Sequence, residues 1–101
     1  MRTLEKEAAG IRTISGTVTL AGIIVAGTGF MVTKTGTGVY VVRFVPAFKA
    51  YISGQVSPAQ QANIAAIMYG GFSDNVTIQM FVSSTLTNQD THFSFIVRGL
   101  A

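Results

Sequence analysis

The chain has 101 residues, no cysteine and a formal net charge of +3, with only 11% charged residues. This length allows one domain, and without cysteine a hydrophobic core must hold it together in place of disulfides or thiolate metal sites. The basic residues are scattered along the chain, which argues against a nucleic-acid interface.

The first ten residues differ in composition from everything that follows. Residues 4–9 are mostly helix formers and Gly10 is a helix stop, which predicts one short helical turn. Such a short helix is marginal alone in water, so we expect residues 1–10 to be an arm that docks on another protein. The predicted docking residues are Arg2, Leu4, Lys6 and Ala8. The apolar pair shares one helical face, and the two cations are expected to meet acidic groups.

We expect neither a secretory signal nor membrane insertion. Glu5 and Glu7 occupy the place where the apolar region of a signal peptide would begin. The longest uncharged stretch, residues 13–33, is interrupted by glycines and threonines, which is atypical of a membrane helix.

From Ile14 onward the hydrophobic period changes to two, which predicts a half-buried antiparallel strand with Ile14, Gly16, Val18 and Leu20 on one face. Seven more strands are predicted at residues 23–25, 30–35, 39–45, 50–57, 63–69, 75–82 and 92–98. Residues 62–69 also fit a helical face. Eight short strands separated by turn residues predict an all-β domain over residues 11–101, a sandwich or a small barrel. We favour a jelly-roll-like β-sandwich of antiparallel strands.

The most informative segment is a predicted hairpin over residues 29–44. Alternating apolar residues enter the turn Thr35-Gly36-Thr37-Gly38 and the alternation then resumes. We expect Gly36 and Gly38 to supply the positive φ angles of this turn. Together with Phe93-Ser94-Phe95-Ile96, the segment resembles a small β-domain common in bacteriophage tail-fibre tips, head fibres and other virion appendage or decoration proteins. The resemblance covers residues 14–98, and it favours a strand over a helix at residues 63–69.

This resemblance implies a non-enzymatic structural protein of the virion, assembled in the host cytoplasm, with capsid or tail proteins as partners. The expected role is capsid decoration or a short appendage, docked by the N-terminal arm. The alternative is a tail-fibre or receptor-binding tip that attaches to host-surface glycan. We favour decoration because the chain starts at Met1 shortly before the domain and shows no fibre shaft.

The inventory for catalysis is one histidine and four carboxylates, so no nucleophile, base and orienting acid can be assembled. We expect no enzyme and no cofactor. Asp74 and Asp90 lie in polar segments where aspartate commonly caps turns, and a glycosidase pair is the alternative. Asp90 and His92, two apart, would share one side of a strand as two ligands of an ion would. Because metal sites need three or four ligands, we favour a solvated histidine.

Recognition is expected in the polar loop of residues 83–91, since long loops on rigid β scaffolds often carry binding residues. The candidate receptor-facing residues are Thr85, Asn88, Gln89, Asp90 and His92. Phe72 and Phe81 flank a polar turn, as sugar-stacking rings do. The aromatic residues that we expect in the core are Tyr40, Phe44, Phe81, Phe93 and Phe95.

The low charge content predicts self-association. With 11% charged residues, a lone domain would expose much apolar or threonine-rich surface, so we expect a homo-oligomer and favour a trimer. Between Ala8 and Ser73 there is no acidic residue. This is either an ordinary imbalance or a surface that faces an acidic partner.

Overall fold

The computed structural model describes residues 10–58 and 63–101. Its strands are β1 (Ile11–Val18), β2 (Ile24–Ala26), β3 (Phe30–Gly36), β4 (Val39–Phe44), β5 (Ala50–Pro58), β6 (Ile64–Tyr69), β7 (Asn75–Val82) and β8 (Phe93–Leu100). They form two antiparallel four-stranded sheets, in the orders β2-β1-β8-β5 and β3-β4-β7-β6. The predicted all-β sandwich of eight strands is confirmed. The predicted docking residues Arg2, Leu4, Lys6 and Ala8 lie outside the described part of the chain.

The strand boundaries differ from the predicted ones mainly in β1. This strand begins three residues earlier than predicted because Ile11 pairs with Leu100 and Arg12 with Gly99 at the end of β8. It also ends earlier, at Val18. Leu20, which the alternation placed on the core face, is exposed beyond the end of the strand.

The core lies between the sheets and follows from the period-two alternation. In β8, Phe93, Phe95 and Val97 are buried, whereas Ser94, Ile96 and Arg98 face outward. Edge-to-face packing of Phe30 on Phe95 and tilted packing of Tyr40 on Phe93 join the two sheets, with ring centroids 4.9 and 5.0 Å apart. Such aromatic pairs add about 0.5–1.5 kcal/mol each beyond their burial.

One of the expected core aromatics is on the other side of its sheet. Tyr40, Phe44, Phe93 and Phe95 are buried, but Phe81 is half-buried. It follows the buried Met80 in β7 and therefore points away from the core, opposite Ala65 of β6. The run of inward-facing aliphatic residues in β7 determines which of its side chains face the core. The aromatic character of Phe81 alone did not indicate on which side of the sheet its ring lies.

The segment with helical character is a strand. β6 pairs antiparallel with β7 through all six of its residues. Its alternate residues Ile64, Ala66 and Met68 face the core, and Ile64 is buried within it. Burial on one face therefore outweighs the helix propensity of the Ala65-Ala66 pair.

The sandwich has two distinct ends. The backbone N–H of Ala101 donates to the carbonyl of Gly10 at 3.0 Å, so the two ends of the described chain meet at one end of the molecule, here called the terminus end. The opposite end, here called the loop end, carries residues 19–23, 37–38 and 83–92. Within residues 10–58 and 63–101, there is no helix that is both long and apolar enough to cross a membrane.

Candidate functional site

The polar loop of residues 83–92 folds back along β7. The N–H of Leu86 donates to the Val82 carbonyl at 2.7 Å, and the Val82 N–H donates to the Thr87 carbonyl at 2.8 Å. Further along, Asn88 bridges Phe81 in antiparallel fashion. Backbone hydrogen bonds therefore give this loop a fixed conformation, which its composition alone did not predict.

Asp90 is the residue that fixes the loop to the neighbouring hairpin. Its Oδ1 accepts the backbone N–H of Gly38 at 2.7 Å, and its Oδ2 lies 3.2 Å from the Lys34 ammonium. The Gly38 N–H, bonded to the charged carboxylate, lowers the pKa of Asp90; Lys34 and the Tyr40 hydroxyl lower it further, while partial burial opposes them. Asp90 is therefore held ionised as a structural acceptor.

Gly38 is suited to this contact by its backbone conformation. Its φ is +70°, and a Cβ there would contact the Met80 carbonyl and come within 2.9 Å of the Gln89 nitrogen. Its carbonyl also accepts the Met80 N–H at 2.7 Å. The prediction of a positive φ was thus correct for Gly38. It was wrong for Gly36, which ends β3 and has an ordinary φ, because a bulge after Lys34 leaves Gly36 paired with Val39.

Tyr40 links the buried core to the same end of the sandwich. Its ring is fully buried, and its hydroxyl donates to the Leu20 carbonyl at 2.6 Å. Burial, followed by the negative charge of Asp90, raises the pKa of Tyr40 to about 12. The phenol therefore stays neutral and serves as a hydrogen-bond donor, not as a base or nucleophile.

His92, which immediately precedes β8, also forms a hydrogen bond with Leu20 in the β1–β2 connection. Its Nδ1 accepts the backbone N–H of Leu20 at 2.9 Å, so the proton of the neutral ring lies on Nε2. Asp90 and His92 thus have separate partners, Gly38 and Leu20. Within residues 10–58 and 63–101, no three His, Cys, Asp or Glu residues are grouped as a metal site requires.

The five candidate receptor-facing residues lie together at the loop end, but in different roles. Thr85 is exposed at the tip. The other four are half-buried: Asn88 accepts the Gln79 amide at 2.8 Å, the Gln89 N–H donates to Met80 at 3.0 Å, and Asp90 and His92 bind as described above. Four of the five candidates therefore stabilise the loop in this structure.

The most exposed apolar side chain of this loop was missed from the sequence. Leu86 is 71% exposed, and its φ of 60° is left-handed, at a cost of about 1–2 kcal/mol for a residue with a Cβ. The available signal was a single leucine in an otherwise polar loop.

The second carboxylate, Asp74, lies at the other end of the molecule. It immediately precedes β7, whereas Asp90 follows the end of β7, and an eight-residue strand is about 27 Å long. Glycosidase carboxylates lie no more than about 9.5 Å apart. Asp74 and Asp90 therefore do not form such a pair. Asp74 instead accepts the side-chain amide of Asn75 at 2.8 Å.

The aromatic candidate Phe72 also lies at the terminus end, in the turn between β6 and β7, and is 62% exposed.

Comparison of the chain with known proteins gave no match to a family model, to a curated protein or to a solved structure.

Proposed function

We propose that this chain is a non-enzymatic structural protein of a bacteriophage particle, either a capsid decoration protein or a short appendage. Residues 1–10 dock it on capsid or tail proteins, and the β-sandwich is displayed outward. The resemblance of residues 29–40 and 93–96 to virion appendage domains motivates this assignment, and it is consistent with the sandwich fold.

The observation that carries the proposal is the polarity of the sandwich. Gly10, the last residue of the docking arm, accepts a hydrogen bond from Ala101 at the terminus end, while residues 19–23, 37–38 and 83–92 lie at the far end of the strands. A molecule attached through the arm can therefore hold its terminus end toward the particle and its loop end toward the solvent.

The chemistry of the loop end supports a structural role. Asp90 is bonded to Gly38 and Lys34, His92 accepts the Leu20 N–H, and Tyr40 donates to the Leu20 carbonyl. Asp90 and His92 thus each join one connection to another, and Tyr40 joins strand β4 to the β1–β2 connection. We further propose a homo-oligomer, with a trimer favoured, because large apolar side chains such as Ile23, Val25 and Met31 are more than half exposed.

Deletion of residues 1–9 tests the docking. Gly10 is kept because its carbonyl accepts the Ala101 N–H. We expect the truncated protein to keep the wild-type melting temperature and far-UV spectrum, since no strand is removed, but to lose its occupancy on particles. A Thr85→Ala variant at the loop end is the matched control and should bind particles normally. Wild-type occupancy of the truncated protein would show that the sandwich itself is the anchor.

The second candidate function is attachment to host-surface glycan. The observation that favours it is the exposed tip at Thr85 and Leu86, held in a strained conformation as binding residues often are. Here Thr85→Ala should reduce binding of the isolated protein to host cells while leaving particle occupancy unchanged. Decoration predicts no binding of the isolated protein to host cells at all.

A further inference from the structure

The two outer faces of the sandwich differ in chemistry although both are antiparallel sheets. The outer face of β2-β1-β8-β5 is lined mainly by hydroxyl side chains, including Thr13, Ser15, Thr17, Ser53, Ser57 and Ser94. Among them lie three apolar side chains, Ile11, Ile96 and Leu100. This is the alternation expected of a sheet with one face in water.

The outer face of β3-β4-β7-β6 is more apolar, although it also carries Thr33, Thr77 and Gln79. Its residues alternate with the buried ones along each strand and include Met31, Val39, Val41, Ile67, Tyr69 and Phe81. Met31 is 61% exposed, Ile67 45% and Tyr69 46%. We call this the apolar face.

Two strands of this sheet have sequences typical of strands covered on both sides. The central strand β4 runs Val39-Tyr40-Val41-Val42 without a polar side chain other than the tyrosine hydroxyl, and β6 is apolar throughout. Near-continuous apolar runs occur where both faces of a sheet are packed against something. The core covers one face of β4, through Tyr40 and Val42; the other remains open in the single chain.

We propose that the apolar face packs against a second copy of this chain. The inference rests on the homo-oligomer proposed above and is independent of the location in a virion. The charge of the face points to a second copy, since Arg43 is its one charged residue among those described. A strongly acidic or basic partner would find little complementary charge there, whereas a face with a single charged residue can pack against a copy of itself.

The position of Arg43 is compatible with such a contact. It pairs with Met31 on one side and Asn75 on the other, in the outward-facing row nearest the terminus end. There its guanidinium can stay in water at the rim while the rows nearer the loop end, which carry Val41, Ile67 and Phe81, are covered. Interfaces have this arrangement of a dehydrated centre and a polar rim.

The area of the face is close to what a specific interface needs. Four strands spaced about 4.8 Å apart, with about six residues each, cover roughly 400 Å² in plan. Two facing copies bury about 800 Å² before the corrugation of the side chains is counted. That approaches the roughly 1,000 Å² total that a specific interface needs.

A matched pair of substitutions tests the proposal. Ile67 lies on the apolar face and Ile96 on the hydroxyl-lined face, with similar exposures of 45% and 39%. Native mass spectrometry and light scattering at about 10 µM protein should show an oligomer for the wild type and for Ile96→Lys. Ile67→Lys should shift to the 10.7 kDa monomer, with at least a tenfold weaker association constant.

Three results would overturn the proposal. A monomeric wild type would refute both this inference and the proposed homo-oligomer. An oligomeric Ile67→Lys that keeps the wild-type association constant would refute the apolar face alone. Dissociation by Ile96→Lys and not by Ile67→Lys would place the contact on the other sheet.

A second measurement covers the case in which Ile67→Lys fails to fold. Because the chain has no cysteine, a single introduced thiol reports only on its own site. Thr33→Cys lies on the apolar face opposite Val41, and Ser15→Cys lies on the other sheet opposite Ile96. Maleimide labelling should be at least tenfold slower at position 33 than at position 15 at about 10 µM, and equal rates would refute the contact.

Discussion

Removal of the Asp90 carboxylate should weaken the loop end by a predictable amount. In Asp90→Ala the buried Gly38 N–H loses its 2.7 Å acceptor, which costs about 1–3 kcal/mol. The 3.2 Å pair with Lys34 involves side chains that are each about a third exposed, so its loss adds only about 0.2–1 kcal/mol. We expect a total of about 2–3 kcal/mol. Asp90→Asn keeps an acceptor oxygen and should cost about 1 kcal/mol.

The pH dependence gives a second test of the same contact. The folded pKa of Asp90 is lowered from its ordinary value of 3.8, so its contribution is complete above that value and is lost as the pH falls through the folded pKa. The difference in unfolding free energy between wild type and Asp90→Asn should therefore be constant near pH 7 and shrink below about pH 4.

Urea titrations at one fixed protein concentration would measure these differences, because an oligomer's stability depends on concentration. Asp74→Asn is the control, since the Asp74 side chain is exposed and its hydrogen bond is with the neighbouring side chain of Asn75. It should change stability by less than about 0.5 kcal/mol. Asp90→Ala within about 0.3 kcal/mol of wild type would refute the reasoning. A difference between wild type and Asp90→Asn that persists unchanged into acid would refute the electrostatic part of it.

Two further predictions concern backbone conformation at the loop end and can be measured by thermal unfolding. Gly38→Ala should destabilise by at least about 2 kcal/mol because of its positive φ and its close contacts, whereas Gly36→Ala, in open space, should be nearly neutral; equal effects would mean that the turn lies elsewhere. Leu86→Gly should stabilise by about 0.5–1 kcal/mol through relief of its left-handed strain, and a loss of stability would show that the leucine packs on something.

The strands were predictable from the sequence because their signals are local. Period-two alternation and turn residues lie within a few positions of each other, and all eight strands were found. The hairpin turn shows the limit of such signals. Thr35-Gly36-Thr37-Gly38 contains two glycines in similar settings, and only the bulge between Lys34 and Gly36 determines that Gly38 takes the positive φ.

The candidate site was less predictable because its contacts connect distant parts of the chain. Gly38 and Asp90 are 52 residues apart, and Leu20 and His92 are 72 residues apart. A polar composition indicates a loop, but it does not reveal which polar side chains face the sandwich. Topology decides this, since it brings the β1–β2 connection, the β3–β4 turn and the β7–β8 loop to one end.

These contacts bear on how the tip at Leu86 can be used. Asp90 fixes the loop to the β3–β4 turn, and backbone hydrogen bonds with Val82 hold Leu86 and Thr87. The loop that carries the exposed leucine is therefore already ordered, so a partner that covers Leu86 would not have to order the loop. Binding to a preorganised surface loses less conformational entropy than binding to a flexible loop. Asp90→Ala should accordingly weaken any contact made by the tip, even though Asp90 itself is turned toward Gly38. This effect would distinguish the residues that touch a partner, Thr85 and Leu86, from the residues that position them.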